Sequence, residues 1–296
     1  MAVPSLFQGS AVALVTPFAN GKVDTAAIER LVEMQIAGGI KAIVACGTTG
    51  EPATMNADER ELTVRTVVRA VNGRVPVIAG TGSNCTQNVI DTAKRYEDIG
   101  CVAQLVVTPY YNKTTQEGMY RHFMAIAEQT ALPIVIYNVP TRTTLDISPE
   151  VLDRLACCEK FIGLKESSYN IPYVMEKIRH VGGRLAIYSG NDDTVIPLMA
   201  LGAEGVISVV ANALPEMMAQ MTASYLAGDQ RTALDLQLRL MPVICAFFSE
   251  VSPIPCKAAM EMMGLCGGDV RLPLVPISDC NRAKLREALI SVGVNL

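Results

Sequence analysis

The residue type and spacing most suggestive of chemistry is a lysine inside an apolar run. Residues 161–165, Phe-Ile-Gly-Leu-Lys, read as a short strand followed by Glu166, Ser167 and Ser168. Strand side chains alternate faces, so Phe161, Gly163 and Lys165 are expected on one side and Ile162 and Leu164 on the other. An ammonium on a packed face costs free energy unless it is paired or neutral. The commoner outcome is a lysine satisfied by a buried carboxylate, and this strand alone favours that reading. The chemical alternative is a neutral amine, a nucleophile suited to forming a Schiff base with a ketone.

Other reactive side chains fall at the ends of apolar segments. Gly47-Thr48-Thr49-Gly50-Glu51 follows one, Thr108-Pro109-Tyr110-Tyr111-Asn112 another, and Tyr137 to Thr143 a third; Ser189-Gly190-Asn191-Asp192-Asp193 follows a fourth. Taken singly these are ordinary strand-ending turns. Together they bring a lysine, a tyrosine and two threonines to one place: a nucleophile, a proton carrier and small donors. The Thr48-Thr49 turn, flanked by glycines, could offer its amides to a small carboxylate. It is no phosphate loop, because no Gly-Lys-Ser/Thr follows. Tyr137 reads either as a core tyrosine or as the proton carrier. Arg142 reads either as a surface arginine or as a bidentate clamp for a carboxylate. Asp192 and Asp193, without histidine partners, are expected to cap a helix rather than hold a metal.

The elements that must position these groups alternate regularly. Strands are expected at 11–16, 42–46, 75–79, 104–107, 133–137, 161–165, 185–188 and 205–209. Helices follow each, at 24–37 capped by Asp24, 57–71 capped by Asn56, 86–99, 116–130, 149–155, 171–180, 194–201 and 215–227. Near-continuous apolar strands with helical crossovers imply a parallel sheet buried on both faces. Eight such units suit a (β/α)8 TIM barrel, for which roughly 250 residues is typical. An open doubly wound sheet is disfavoured because the first strand is not followed by G-x-G-x-x-G. After Gly228 the strands stop, and helices are expected at 230–240, 242–248, 255–263 and 281–291. The expected division is a catalytic barrel over 1–228 and a small C-terminal all-helical domain over 229–296.

Composition narrows the class further. Of 296 residues half are hydrophobic and 18% charged, with a net charge of −4, so the chain is globular and has no basic patch for nucleic acid. No apolar run approaches the roughly 20 residues of a membrane span. The first residues lack a basic segment and cleavage site, so no signal peptide is expected. Nine cysteines without a C-x-x-C, beside only His122 and His180, read as reduced thiols in a cytoplasmic protein with no structural zinc.

Four motifs, in order, resemble the dihydrodipicolinate synthase family of the pyruvate-dependent class I aldolase superfamily, which also includes N-acetylneuraminate lyase. They are Gly-Thr-Thr-Gly-Glu (47–51), Thr-Pro-Tyr-Tyr-Asn (108–112), Tyr-Asn-Val-Pro-Thr-Arg-Thr (137–143) and Gly-Leu-Lys-Glu (163–166), with Gly-Val-Ile-Ser (205–208) and Ala211-Asn212 in support. The resemblance runs from about Gly9 into the C-terminal helices. It implies a lyase that joins pyruvate to L-aspartate 4-semialdehyde through a lysine imine, giving 4-hydroxy-tetrahydrodipicolinate for diaminopimelate and lysine biosynthesis. It also implies a homotetramer built from tight dimers, with no metal or organic cofactor. Lys165 would form the imine. Tyr137, Thr48 and Tyr111 would relay protons, with Tyr111 reaching in from a neighbouring subunit. Thr48 and Thr49 would hold the pyruvate carboxylate, Arg142 that of the semialdehyde, and Gly190 and Ile207 would line the pocket.

The same resemblance marks a regulatory region. Lysine-sensitive relatives bind lysine beneath the residue matching Tyr110, using histidines on the second helix or its approach and a glutamate on the third. Here Ala53, Asn84 and Tyr110 are kept, but Ala57 and Arg60 replace the first group and Asn88 the second. Losing the carboxylate and gaining a like charge implies weak feedback inhibition. Two rivals remain: a sugar-acid aldolase of the same superfamily and a catalytically dead metabolite-binding barrel. Arg142 and Lys165-Glu166 disfavour the first; an intact Lys165, Tyr137, Thr48 and Tyr111 disfavours the second.

Overall fold

A computed structural model of the chain describes residues 5–296. Eight parallel strands close a barrel: β1 (Gly9–Ala13), β2 (Ala42–Ala45), β3 (Val77–Gly80), β4 (Ala103–Val107), β5 (Ile134–Asn138), β6 (Phe161–Glu166), β7 (Ala186–Ser189) and β8 (Gly205–Ser208). The seam joins β1 to β8 with Gly9 opposite Gly205. Gly205 has φ 153°, and a Cβ there would stand 1.8 Å from the Gly9 carbonyl oxygen, so only glycine lets the seam close. A two-stranded hairpin, Phe18–Ala19 with Lys22–Val23, follows β1.

Helices follow the strands: α1 (Thr25–Ala37), α2 (Ala57–Val71), α3 (Thr86–Glu97), α4 (Gln116–Gln129), α5 (Pro149–Leu155), α6 (Ile171–Val181), α7 (Val195–Ala200) and α8 (Pro215–Leu226). Their starts follow local chemistry. Asp24 accepts from the Ala27 amide, and Asn56 and Glu59 form a reciprocal capping box at α2. Alternate strand residues fill the barrel interior, among them Ala11, Ala42, Val44, Ile78, Leu105, Val135, Tyr188 and Ile207. The other residues of each strand pack beneath the helices.

One strand departs from strict alternation. Ile134 pairs with Phe161, but Val135 pairs with Gly163, so Ile162 is an extra residue on β6. This bulge reverses the facing of what precedes it. Phe161 packs outward against Phe123, while Ile162 packs against the interior cluster. The expected grouping of Phe161 with Lys165 is therefore incorrect.

Beyond Gly228 lie α9 (Gln230–Phe247), α10 (Ile254–Met262) and α11 (Asp279–Ser291). The two helices expected on either side of Pro242 are one. Proline removes a helical donor, but Pro242 sits on the exposed face, and the carbonyl it leaves free belongs to Leu238, 60% exposed. Leu240, Val243, Ile244 and Phe247 hold the helix down. These residues share one core cluster with Val12 and Val206 of the barrel wall. Among the described residues no helix is long and apolar enough to cross a membrane.

Candidate active site

Tyr137 and Lys165 are directly opposed partners on neighbouring strands, as are Asn138 and Glu166 one residue later. Alternation therefore sends Tyr137 and Lys165 to the barrel interior and Asn138 and Glu166 toward the helices. Lys165 is 4% exposed, and its Nζ lies 4.3 Å from the centre of the Tyr137 ring. Among the described residues that nitrogen makes no hydrogen bond or ion pair. Gly190, just past β7, makes room for it. A Cβ at Gly190 would stand 3.0 Å from Lys165 Cε and 1.9 Å from Ser167 Oγ.

The outward-facing neighbours are tied together. Glu166 accepts from Asn138 Nδ2, from the Ser168 amide and from Lys177 Nζ at 2.9, 2.7 and 2.9 Å. Lys177, on α6, also pairs with Asp146, which accepts from Asn138. Four buried or half-buried side chains thus pin the ends of β5 and β6 from behind, one residue beyond the tyrosine and the lysine. A fully satisfied network of this kind fixes the relative height of the two strands.

The threonine turn is built after β2. Gly47 is extended, Thr48–Gly50 form one 3-10 turn, and Glu51 is left-handed with φ 54°. The amides of Gly50 and Glu51 bond back to Gly47 and Thr48, while those of Thr48 and Thr49 make no backbone hydrogen bond among the described residues. Glu51 holds the turn from behind. It is buried, it pairs with Lys257 of α10, and it accepts from the Arg271 amide at 3.3 Å. Lys257 Nζ also donates to the Asp269 carbonyl and lies 4.1 Å from the Phe18 ring centre. Burial lowers the Lys257 pKa, and Glu51 opposes that shift. Arg271 pairs with Glu59, holding that carboxyl below its usual range.

Above Tyr137 opens a cavity of about 380 Å³ lined by Thr48, Tyr110, Tyr137 and Arg142, among others. Arg142, on the single turn Pro140–Thr143, donates to the Ser252 carbonyl at 3.3 Å. Cys46 lines the same space, but burial pushes its thiol up to about 12, so it is no competing nucleophile. Thr48 reaches the cavity, whereas Thr49 is buried and does not line it. Ile207 fills the barrel interior below, and Gly190 packs on Lys165; neither lines the opening. Tyr111 is 91% exposed, with φ 65°, and stands outside the cavity of its own protomer. Asp192 does not cap the helix after it. It crosses to β8, accepting from Ser208 Oγ and the amides of Val209 and Val210, and burial still raises its pKa.

A family model described as the Dihydrodipicolinate synthetase family matches residues 6–291. The chain belongs to that family. Relatives named 4-hydroxy-tetrahydrodipicolinate synthase include one from Geobacter sulfurreducens, 46% identical over 95% of this chain and 97% of its own. Another, from a Thermoanaerobacter species, is 47% identical over 98% of both. Among solved structures, the dihydrodipicolinate synthase of Thermotoga maritima is similar with a TM-score of 0.96 at 40% identity, covering 98% of this chain and all of that one. The synthase of Cyanidioschyzon merolae, solved with lysine bound, has a TM-score of 0.95 at 36% identity, covering 98% of this chain and 100% of its own.

In this member of the Dihydrodipicolinate synthetase family the expected regulatory residues divide between two spaces. Ala53 and Tyr110 line the main cavity. Ala57 and Asn88 line a second cavity of about 280 Å³ between α2 and α3, with Asp91, Thr92 and Arg95. Arg60 borders both. Asn84 lines neither, and its carbonyl accepts from Asn112. Sequence reasoning missed the supports of the site: Asn138, Asp146 and Lys177 behind the lysine strand, Lys257 and Arg271 behind the threonine turn. The one local signal was Glu166 and Glu51, acidic residues placed where burial would demand a cation.

Proposed function

We propose that the protein condenses pyruvate with L-aspartate 4-semialdehyde to give 4-hydroxy-tetrahydrodipicolinate. The observation that carries this is the buried, unpaired amine of Lys165 against the ring of Tyr137, which itself lines a cavity with Thr48 and Arg142. An amine kept from water and from carboxylates attacks the ketone of pyruvate. Tyr137 gives the proton with which water leaves the carbinolamine, and its phenolate takes one back from the methyl group as the iminium accepts the electron pair, leaving an enamine. The enamine attacks the aldehyde carbon, and the product's own amine displaces Lys165 and closes the ring. The free amides of Thr48 and Thr49 receive the pyruvate carboxylate, and Arg142 receives that of the semialdehyde. Gly190 and Ile207 shape the wall and floor behind the imine.

The working unit in this reading is a cytoplasmic homotetramer of tight dimers, with residues 1–228 as catalytic barrel and 229–296 as helical domain. Tyr111 completes the relay of Tyr137 and Thr48 in the adjoining protomer; its exposure and left-handed backbone suit a side chain offered outward. Asn88 offers lysine no carboxylate, and Arg60 and Arg95 set two like charges against Asp91, the single acid among the described residues lining the cavity between α2 and α3. We expect lysine to bind about 10–100-fold more weakly than in a sensitive relative.

One assay tests the reading. Pyruvate and the semialdehyde are supplied with a coupled reductase, and borohydride is added in parallel with pyruvate alone. The expected results are turnover and one pyruvyl unit on the Lys165 peptide. Labelling elsewhere, or none, overturns it. In the same assay Arg142→Ala should raise the KM for the semialdehyde and spare trapping, and submillimolar lysine should not inhibit.

A further inference from the structure

Strand β6 does not stop contributing to the site at Lys165. The ladder continues past its end: the Ser167 amide donates to Asn138 O and the Gly190 amide to Glu166 O, both at 2.8 Å. With pairing maintained, alternation holds, so Glu166 points to the helices and Ser167 points to the same side as Lys165. Ser167 is 2% exposed, and its hydroxyl is buried with no hydrogen-bond partner among the described residues. A buried hydroxyl without a partner is destabilising and asks for an explanation.

Gly190 locates that hydroxyl. The point where a Cβ of residue 190 would stand is 1.9 Å from Ser167 Oγ, 3.0 Å from Lys165 Cε and 3.1 Å from Lys165 Cγ. Hydroxyl and lysine chain therefore share the gap that a side chain at 190 would fill, and Cε is one bond from the reacting nitrogen. The Tyr137 ring also borders that nitrogen. Ser168 Oγ is also buried without a partner among the described residues, but it is Ser167 Oγ that Gly190 places beside the Lys165 chain.

We propose that Ser167 is a further residue of the reaction centre, its hydroxyl taking the hydrogen bond of the Lys165 imine. This rests on the function proposed above. The chemistry suits a hydroxyl and not a carboxylate. A hydroxyl donates to the lone pair of the unprotonated imine and, after rotation, accepts from the iminium N–H. A carboxylate only accepts, and would hold the lysine as an unreactive ammonium. Ser167 transfers no proton: amine and ketone give carbinolamine, then iminium and water, with the proton for water supplied elsewhere.

The test is Ser167→Ala in the full-length enzyme, with borohydride trapping of pyruvate followed in time. The rate of imine formation and kcat/KM for pyruvate should fall roughly tenfold, as for one hydrogen bond to a charged group. The KM for the semialdehyde should not change. Because the hydroxyl has no partner in the free enzyme, the melting temperature should hold or rise. Trapping at the wild-type rate overturns the proposal, and so does a lowered melting temperature with unchanged kinetics, which marks a structural hydroxyl. If wild-type enzyme traps no pyruvate at Lys165, the proposed function fails with it. If wild type and variant trap alike, only this inference fails.

Discussion

Lys177 and Lys257 are fully enclosed, and both end against carboxylates: Lys177 on Glu166 and Asp146, Lys257 on Glu51. Lys165 is buried almost as deeply but meets an aromatic face instead. Its nearest buried acids are committed elsewhere. Glu166, the next residue along the chain, faces the opposite side and is taken by Lys177. Asp192 feels the lysine's charge but is bound to the start of the turn after β8. Burying a lysine is thus common in this chain, and withholding its counter-ion is what singles one out. The paired lysines hold strands and turns in place; the unpaired one is free to react.

The largest way to break this comparison is to remove the reactive member. Lys165→Ala should lower turnover by several orders of magnitude, because covalent catalysis is lost, while circular dichroism and melting stay near wild type, since no partner is stranded. A collapse in stability with the lost activity would put Lys165 among the structural lysines. Tyr137→Phe comes next. It keeps the ring beside the amine but removes the proton, and turnover should drop about 10²–10⁴-fold. Steady-state kinetics on the folded variant decides this, and full activity would exclude Tyr137 from the relay.

Lys177→Met sharpens the other side. It leaves Glu166 buried without its cation, which typically costs about 3–5 kcal/mol. Denaturant melts should show that loss, and Lys177→Met/Glu166→Gln should recover part of it. A variant as stable as wild type would mean the network supports nothing. The smallest effect concerns His122, a buried base with no counter-ion. Its Nδ1 meets Thr86 Oγ1, its Nε2 has no partner among the described residues, and burial pushes its pKa down to about 4. The folded value lies below the unfolded one of about 6.5, so the unfolded chain takes the proton first. Stability from the neutral ring is complete above pH 6.5 and is lost as pH falls through 4, about 2–3 kcal/mol by pH 4.5. Melts of wild type and His122→Gln at pH 7.5 and 4.5 should show a smaller acid loss in the variant; equal losses would clear His122 of that role.

The strands and helices of the barrel were readable because each carries its own signal. Asp24 at the start of 24–37 and Asn56 before 57–71 mark helix starts by side chains that bond within three residues. The Lys165 strand, the Thr48 turn and Tyr137 were readable because barrel strand ends gather polar residues. What was not legible depends on distant partners or on a skipped residue. The bulge at Ile162 leaves an ordinary apolar sequence behind it, so period-two reasoning put Phe161 on the wrong face. Pro242 looked like a break because its neighbours on the buried face could not be seen to outweigh one lost bond. Asp192 looked like a cap because the groups that donate to it, Ser208 and the amides of Val209 and Val210, lie at the end of β8 and just beyond it. Nothing near Glu51 announces that its cation arrives from residue 257.

That last distance bears on how the protein is made. Chains emerge from the ribosome at about 5–20 residues per second, and non-local contacts wait for their later half. The barrel seam needs Gly205 to meet Gly9, and the turn bearing Thr48 is not clasped until Lys257 and Arg271 have followed. During synthesis Thr48, Tyr137 and Lys165 therefore exist long before the contacts that hold them in place. A ribosome halted short of residue 271 carries Lys165 and Tyr137 with the Thr48 turn still unclasped, so the arrangement is complete only when nearly the whole polypeptide has been translated.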